Sequence, residues 1–343
     1  RITAAFQAFM ILGFGLSFFV RVDGSPAVAS VAVTGGAVLN ILLDWLFLAV
    51  FGFGLAGAAY ATGLSFVFTL AVACCRLPRR DCRLRLTRRL GCWRDFLGAV
   101  YNGSSELLNE ISGGFIVFLI NGIMIRAAGA SGVAGFAVIS YLLVFGMMAA
   151  FGFSDSLSPL VSCNMAAGKR GRATAFLLTA CLTVFGIGAL LFAVLTLWPE
   201  PLLRAFLPED AAALQIAQEF LHGFRWMFLL AGVNIVFTSY FTGLHKPLCS
   251  LVTAGLRGML LPLLLVWTFF RVWGIPGSAA AVPVSELLTF TVGAVIIFML
   301  NRRHLSRGRR AAVLVHLPRN RRALFFRKIC GFRRLINPED ALH

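Results

Sequence analysis

The chain has 343 residues, of which 59% are hydrophobic and 13% are charged, and its mean hydropathy is +0.85. Globular domains carry about 45–50% apolar and about 25% charged residues, so a water-soluble domain of this size cannot bury so much apolar surface. This composition excludes a soluble enzyme, a disordered chain and a disulfide-stabilised scaffold. The net charge of +17 does not indicate nucleic-acid binding, because the charges lie mainly between apolar segments.

Nine apolar segments follow one another along the chain. Each has 19–30 residues, enough to cross the hydrocarbon core of a membrane, for which an α-helix needs about 20. They cover residues 2–20, 28–51, 55–75, 96–125, 131–158, 173–197, 220–243, 248–270 and 276–300. These segments predict an all-α integral membrane protein, a multi-pass helical bundle with about nine transmembrane helices. The eight cysteines have no metal-ligand spacing and are interpreted as reduced thiols.

Basic residues are distributed unequally between alternate linkers. Every second linker, together with the C-terminal tail, holds most of them, 25 against three in the remaining linkers. The Arg-rich set consists of 21–27, 76–94, 168–172, 244–247 and 301–343. Under the positive-inside rule, this set lies in the cytoplasm and the linker 198–219 lies outside.

An internal repeat relates residues 25–62 to residues 246–284. Each copy has a turn ending in Pro, a helix, a short Gly-containing turn and a helix that begins with small residues. The copies share one orientation, as in transporters whose two halves are related about the membrane normal. The repeat predicts two parallel six-helix halves, twelve helices in all, of which three would precede this chain. Four regions are predicted: the last three helices of an N-terminal lobe (1–75), a basic cytoplasmic interlobe loop (76–94), a complete six-helix C-terminal lobe (95–300) and a basic cytoplasmic tail (301–343).

Five segments carry a resemblance to a known family. They are Asn40-Ile-Leu-Leu-Asp44, the stretch 51–62, Asn102-Gly-Ser-Ser-Glu106, the stretch 159–169 and Val284-Ser-Glu286-Leu-Leu-Thr289. Their order and spacing resemble the multidrug and toxic compound extrusion (MATE) family, and the glutamate of the fourth span resembles its MepA-like branch. Two positions depart from the family pattern, which usually has Tyr at Cys163 and Gly at Ala166.

The resemblance implies a cation-coupled antiporter in the inner membrane of a bacterium. Such a protein expels bulky, often cationic small molecules in exchange for Na⁺ or H⁺. We expect no enzymatic activity, no cofactor other than the coupling ion, no nucleic-acid partner and a monomeric state. The alternatives are a lipid-linked sugar flippase of the same superfamily, which would need a basic cavity, and an inactive gene fragment.

Asn40 and Asp44 lie four residues apart inside the second apolar segment, on one helical face. A charge at mid-bilayer costs about 2.5–3.5 kcal/mol on insertion scales, so it usually faces a cavity or a partner. A carboxylate beside an amide oxygen can hold a hard cation or a proton. The resemblance implies that this pair forms the cation site of the N-terminal lobe. The alternative is hydrogen bonding that only fixes helix packing.

Glu106 and Glu110 lie on adjacent turns of the fourth segment, in one polar stripe with Asn102 and Asn109. Two neighbouring carboxylates in a low dielectric cannot both ionise cheaply, so one should hold a proton. A bound cation would relieve the repulsion, which predicts a cation or proton site at the two glutamates. Asn102, Asn109 and Asp155 are candidates for a substrate cleft. The alternative for Glu106 is a side chain that reaches the cytoplasmic interface.

Arg257 and Glu286 lie at similar depths in the last two segments. They are predicted to form a structural ion pair, with gating as the alternative role. No metal site is expected beyond a possible Na⁺ site, and no Walker-type loop that would use ATP is present in the sequence. In the tail, four apolar residues at helical spacing predict an interfacial helix on the anionic inner leaflet, with a disordered basic tail as the alternative. They are Phe325, Ile329, Phe332 and Ile336.

Overall fold

A computed structural model of the chain describes residues 2–79, 82, 84, 92–207 and 210–315, without the side chains of 301 and 303–315. The predicted tail helix lies outside these residues. All regular secondary structure in the described residues is helical. In chain order the elements are α1 (Ile2–Val22), α2 (Pro26–Asp44), a first π-helical turn (Trp45–Val50), α3 (Gly54–Cys74), α4 (Trp93–Ala166), α5 (Arg170–Leu197), α6 (Pro199–Arg204), α7 (Ala211–Phe224), a 3-10 turn (Arg225–Leu229), α8 (Ala231–Gly243), α9 (Pro247–Gly255), a second π-helical turn (Leu256–Leu260) and α10 (Leu261–Val315).

Seven helical stretches in the described residues are long and apolar enough to cross a membrane. Two of them, α4 and the stretch that ends in α10, contain a glycine with a non-helical backbone: φ 61° and ψ −141° at Gly129, and φ 64° and ψ −144° at Gly274. Only glycine adopts this region readily, so each glycine ends one helix and starts the next. Splitting there yields nine helical segments, in agreement with the prediction of about nine.

The internal repeat is visible in the backbone. Ser25 and Lys246 each precede a helix that begins with proline, and their dihedral angles nearly coincide, at φ −118° and ψ 56° against φ −116° and ψ 67°. The residue before each of them has positive φ, 89° at Gly24 and 53° at His245. Since His245 is the one described non-glycine residue with positive φ, the turn geometry is retained even where it is unfavourable.

The chain contacts divide the protein into two units, Arg1–Asp95 and Phe96–His343. In the first unit, α3 packs against both α1 and α2. Only 11% of the most apolar window of α1 is buried, so most of its apolar side chains point away from the protein. Such an arrangement is expected where lipid, and not protein, covers the helix.

In the second unit, α8 is the central helix, because all of its residues are buried. It contacts α5, α9 and α10, and α7 packs against α10. Phenylalanine side chains fill much of the surrounding core, including the edge-to-face pair Phe136 and Phe220, whose ring centroids are 5.2 Å apart. The burial of α8 places its polar side chains inside the bundle, where each needs a hydrogen-bonding partner.

Candidate functional site: polar groups inside the apolar spans

The polar stripe lies on the first half of α4, residues 93–128. Glu106 and Glu110 are exposed on this stripe, whereas Asn109 is 7% exposed. The Asn109 amide donates a hydrogen bond to Glu106 Oε2 at 3.3 Å. This bond fixes one face of the carboxylate and leaves the rest of it accessible.

Asp155, on the second half of α4, lies close enough to Glu106 for its charge to act on that carboxylate. The charge of Glu110 also acts on Glu106, less strongly. Both Asp155 and Glu110 repel the Glu106 carboxylate. We call Glu106, Glu110 and Asp155 the acidic patch, because the charges of the other two act on Glu106. In the described residues, no group of three or more His, Cys, Asp or Glu side chains is compact enough to hold a metal ion by itself.

Asn102 has a different environment from the other members of the stripe. Its amide nitrogen donates to the backbone oxygen of Thr242 at 3.3 Å, while its Oδ1 atom is buried without a hydrogen-bond partner in the structure. Asn102 thus ties α4 to the central helix α8. Its orphaned oxygen still needs a donor, such as water or a ligand.

Asn40 and Asp44 lie at the end of α2, and both side chains are half-buried. The Nδ2 atom of Asn40 and the Oδ1 atom of Asp44 are buried, and neither makes a hydrogen bond in the described part of the chain. The first π-helical turn begins directly after Asp44. Such turns are frequent at functional sites, because they widen the helix and redirect side chains and backbone groups.

Arg257 and Glu286 are in contact in the second unit. Arg257 Nε lies 3.1 Å from Glu286 Oε1 and 3.3 Å from Oε2, and the two side chains are 14% and 4% exposed. Asn234 of α8 donates from its amide to Glu286 Oε2 at 2.7 Å and to the Glu286 backbone oxygen at 2.9 Å. The carboxylate of Glu286 is therefore held from two sides.

Buried hydroxyl groups connect this charged pair to the stripe helix. Ser105 Oγ and Thr242 Oγ1 are 3.3 Å apart, and Thr242 Oγ1 is 2.9 Å from Ser250 Oγ. Ser250 donates to the backbone oxygen of Thr238, whose hydroxyl in turn donates to the backbone oxygen of Asn234. A continuous series of buried polar contacts thus links α4, α8, α9 and α10.

Sequence reasoning missed Asn234 and Arg225, although both lie inside the span predicted at 220–243. Arg225 stands in the 3-10 turn between α7 and α8, with its guanidinium 5.8 Å from the ring centre of Phe192. Its Nε atom is buried without a hydrogen-bond partner in the structure. The rule that identified Arg257, a charged or amide side chain within an apolar span, would have identified both residues.

A buried ion pair between Asp23 and Arg76 was also missed. Arg76 Nη2 lies 3.1 Å from Asp23 Oδ2, and the side chains are 4% and 1% exposed, respectively. The two residues are separated by 53 positions, so no local spacing connects them. Arg76 lies in the segment predicted as a basic loop (76–94), whereas in the structure it joins the C-terminal ends of α1 and α3.

The candidate cleft residues do not line the apolar cleft of about 380 Å³ between α4 and α5. That cleft is bordered by Phe153, Ser156, Leu160 and Phe176, among others, and not by Asn102, Asn109 or Asp155. The acidic patch and this cleft are thus separate features of the second unit.

The chain is similar to known membrane transporters. The MatE family model matches residues 110–268. The multidrug export protein MepA of Staphylococcus saprophyticus is 25% identical over 309 residues, 86% of this chain and 65% of the relative. The FAD transporter of Shewanella oneidensis is 26% identical over 281 residues, 78% of this chain and 60% of the relative. The chain therefore spans less than two thirds of the length of these curated relatives.

Solved structures share the fold. The MATE transporter VcmN of Vibrio cholerae superposes with a TM-score of 0.78 at 19% identity, over 88% of this chain and 68% of that one. A MOP superfamily transporter of Pyrococcus furiosus superposes with a TM-score of 0.77 at 23% identity, over 89% of this chain and 67% of that one. The predicted all-helical membrane fold is thereby confirmed.

Proposed function

We propose that the chain is a member of the MATE family, to which its similarity points, and that it is part of a secondary transporter that exports bulky, often cationic small molecules in exchange for Na⁺ or H⁺. It is a multi-pass membrane protein. The two relatives are named for the export of drugs and the transport of FAD. Because those names cover different kinds of molecule, the proposed preference for cations rests on the residues of this chain.

The acidic patch of Glu106, Glu110 and Asp155 is the observation that carries the proposal. When ionised, Asp155 and Glu110 each repel the Glu106 carboxylate. A bound proton, a Na⁺ ion or a cationic substrate lowers this repulsion, and each of them does so at the expense of the others. Competition for one set of carboxylates is the thermodynamic basis of exchange, because binding of one cation favours release of the other.

Asn40 and Asp44 are proposed as a second cation site, in the first unit. Its support is the pair of buried polar atoms without partners and the π-helical turn that follows Asp44. A buried carboxylate oxygen that lacks a hydrogen-bond donor is stabilised either by a proton or by a cation. Both outcomes fit a role in ion coupling.

Equilibrium binding to the purified 343-residue chain tests the proposal. The probe is tetramethylrhodamine methyl ester, a fluorescent cation, and its fluorescence anisotropy reports binding in detergent micelles. We expect saturable binding that is weakened about tenfold when Na⁺ is added or the pH is lowered, a coupling of ordinary size for linked sites. Absence of saturable binding, or binding that responds to neither cation, would overturn the proposed function.

The proposed orientation has the basic linkers and the tail in the cytoplasm and 198–219 outside. Cys82 is buried and cannot report on its side of the membrane. Phe206 and Lys246 are both exposed. In intact cells, a membrane-impermeant thiol reagent should therefore label a single-cysteine F206C variant and spare a single-cysteine K246C variant until the cells are permeabilised. The opposite labelling pattern would contradict the orientation, and labelling of both variants in detergent controls for accessibility.

A further inference from the structure

A cavity of about 280 Å³ lies between the start of α2 and the end of α3, inside the first unit. Its walls combine apolar and basic side chains. Val28 and Val31 of α2 and Val72 of α3 supply apolar surface, whereas Arg76 and Arg79, just beyond α3, supply the basic groups. Pockets for drug-sized ligands usually have about 300–1,000 Å³, so this smaller cavity suits one polar group of an amphiphilic ligand.

The two arginines differ in how they are engaged. Arg76 is buried, and its guanidinium donates to Asp23 Oδ2 from Nε at 3.3 Å and from Nη2 at 3.1 Å. The Asp23 side chain is only 1% exposed and is not among the described residues that border the cavity. Arg79 is exposed, and its guanidinium forms no ion pair with another described residue. The charge of Arg79 is therefore available to an anion.

The helix end beside the arginines also has a positive potential. α2 begins with Pro26, and Ala27 and Val28 of its first turn border the cavity. The N-terminal end of a helix carries about half a positive charge, which acts within the first turn. None of the described residues that border the cavity is acidic. The cavity therefore favours an anion over a cation.

The second copy of the internal repeat lacks these arginines. When Gly54 is aligned with Gly274, Arg76 and Arg79 correspond to Ile296 and Met299. The repeated helix architecture thus forms without basic residues at these positions. The basic lining is a property of the first copy and not of the repeated fold.

An apolar stripe leads from the cavity along α2. Val31, which borders the cavity, is 59% exposed, and Val38 and Leu42 are 51% and 57% exposed. Their spacing places the three residues on one face of the helix. From Val31 to Leu42 this face rises about 16 Å, within a helix that is long and apolar enough to cross a membrane. An apolar chain attached to an anion in the cavity can therefore lie along the stripe.

We propose that this cavity binds an anionic phospholipid. The phosphate lies against the guanidinium of Arg79 and the start of α2, and one acyl chain lies along the stripe on α2. The planar fork of an arginine matches a phosphate, and basic pockets between membrane helices bind anionic headgroups. A free phosphate ion shares the contact with Arg79 but gains nothing from the stripe. The site has no residue in common with the acidic patch, so its test is independent of the proposed function.

Native mass spectrometry of the purified 343-residue chain in detergent provides the test. The probes are dioleoylphosphatidylglycerol, which is anionic, and dioleoylphosphatidylcholine, which has the same acyl chains and no net charge. We expect the first phosphatidylglycerol to bind more tightly than phosphatidylcholine by a factor of about 10–100, which corresponds to a hydrogen bond to a charged group. Inorganic phosphate at the same concentration should not displace the lipid, because it lacks the apolar chains.

Two variants test the charge and the cavity separately. Arg79→Gln removes the available charge, so the preference for phosphatidylglycerol should fall about tenfold. Cys75→Trp keeps both arginines and fills the cavity, which Cys75 borders, so it should also reduce the preference. Arg21→Gln is the matched control, because Arg21 lies in the last turn of α1, close to the start of α2, and does not border the cavity. It should keep the wild-type preference.

Size-exclusion chromatography identifies the variants that fold. Equal binding of both lipids by the wild type, displacement of the lipid by phosphate, or a wild-type preference in folded Arg79→Gln or Cys75→Trp would overturn the inference. A loss in Arg21→Gln as large as that in Arg79→Gln contradicts it too, since general attraction to a basic surface would then suffice. If Cys75→Trp does not fold, the comparison of Arg79→Gln with Arg21→Gln decides, because Arg79 is exposed.

Discussion

Replacing Glu106 with glutamine is expected to abolish the competition between a cationic dye and Na⁺ or protons. Glutamine keeps the size of the side chain and its contact with Asn109 but removes the charge at the centre of the acidic patch. We expect dye affinity to fall about 10–100-fold, and the remaining binding to respond to neither cation, because coupling requires a shared charge. Anisotropy titrations of the purified variant, with and without added Na⁺ and at two pH values, measure both effects.

Glu219→Gln is the matched control for this prediction. Glu219 is an exposed glutamate of α7 that accepts a hydrogen bond from Gln215 at 3.3 Å, away from the acidic patch. Its replacement should leave dye affinity and cation competition at wild-type values. If Glu106→Gln behaves like Glu219→Gln while remaining folded, the acidic patch is not the cation site.

Glu110→Gln distinguishes a shared site from two separate sites. Glu110 acts on the charge of Glu106 from the adjacent turn, although less strongly than Asp155 does. Removing the Glu110 charge should also weaken dye binding. The double variant E106Q/E110Q should lose less binding free energy than the sum of the losses in the two single variants. Mutations of residues that act on the same charge are coupled in this way, whereas the free-energy effects of mutations at independent sites add. Strict additivity would therefore contradict a common site.

The helical architecture followed from the sequence because membrane spans obey two simple constraints. The length of an apolar segment determines whether a helix can cross the membrane, and a glycine determines where the chain can turn back sharply. The predicted breaks between 125 and 131 and between 270 and 276 contain Gly129 and Gly274, whose backbone angles are inaccessible to other residues. The π-helical turns after Asp44 and around Arg257 were not predicted, since they depend on packing against neighbouring helices and not on local propensity.

The residue types of the candidate site were predictable, but their partners were not. An ionisable residue in an apolar span is conspicuous, which is why Asp44, Glu106 and Arg257 could be selected. Which neighbour satisfies it depends on contacts across the bundle. Asn234 lies 52 residues from Glu286 and completes the charged pair, and Asn102 donates to Thr242 across 140 residues. No spacing rule connects positions at such separations.

Loss of Arg257 is expected to destabilise the chain strongly. In Arg257→Leu, the Glu286 carboxylate keeps its hydrogen bond from Asn234 but loses its only cationic contact in the described residues, at a site where it is 4% exposed. Removing one partner of a buried ion pair costs about 3–5 kcal/mol, because the remaining charge has no compensation. Thermal unfolding in detergent, followed by tryptophan fluorescence, should therefore show a large fall in the midpoint temperature.

The double variant R257L/E286L should recover most of that loss, since replacing both charges with apolar groups of similar volume is often close to neutral. Arg204→Leu serves as the control, because Arg204 pairs with Glu200 at the surface, 2.6 Å apart, with side chains 64% and 52% exposed. An exposed pair contributes about 0–1 kcal/mol, so its removal should barely move the midpoint. Should Arg257→Leu unfold at the same temperature as Arg204→Leu, the buried pair would have no structural role.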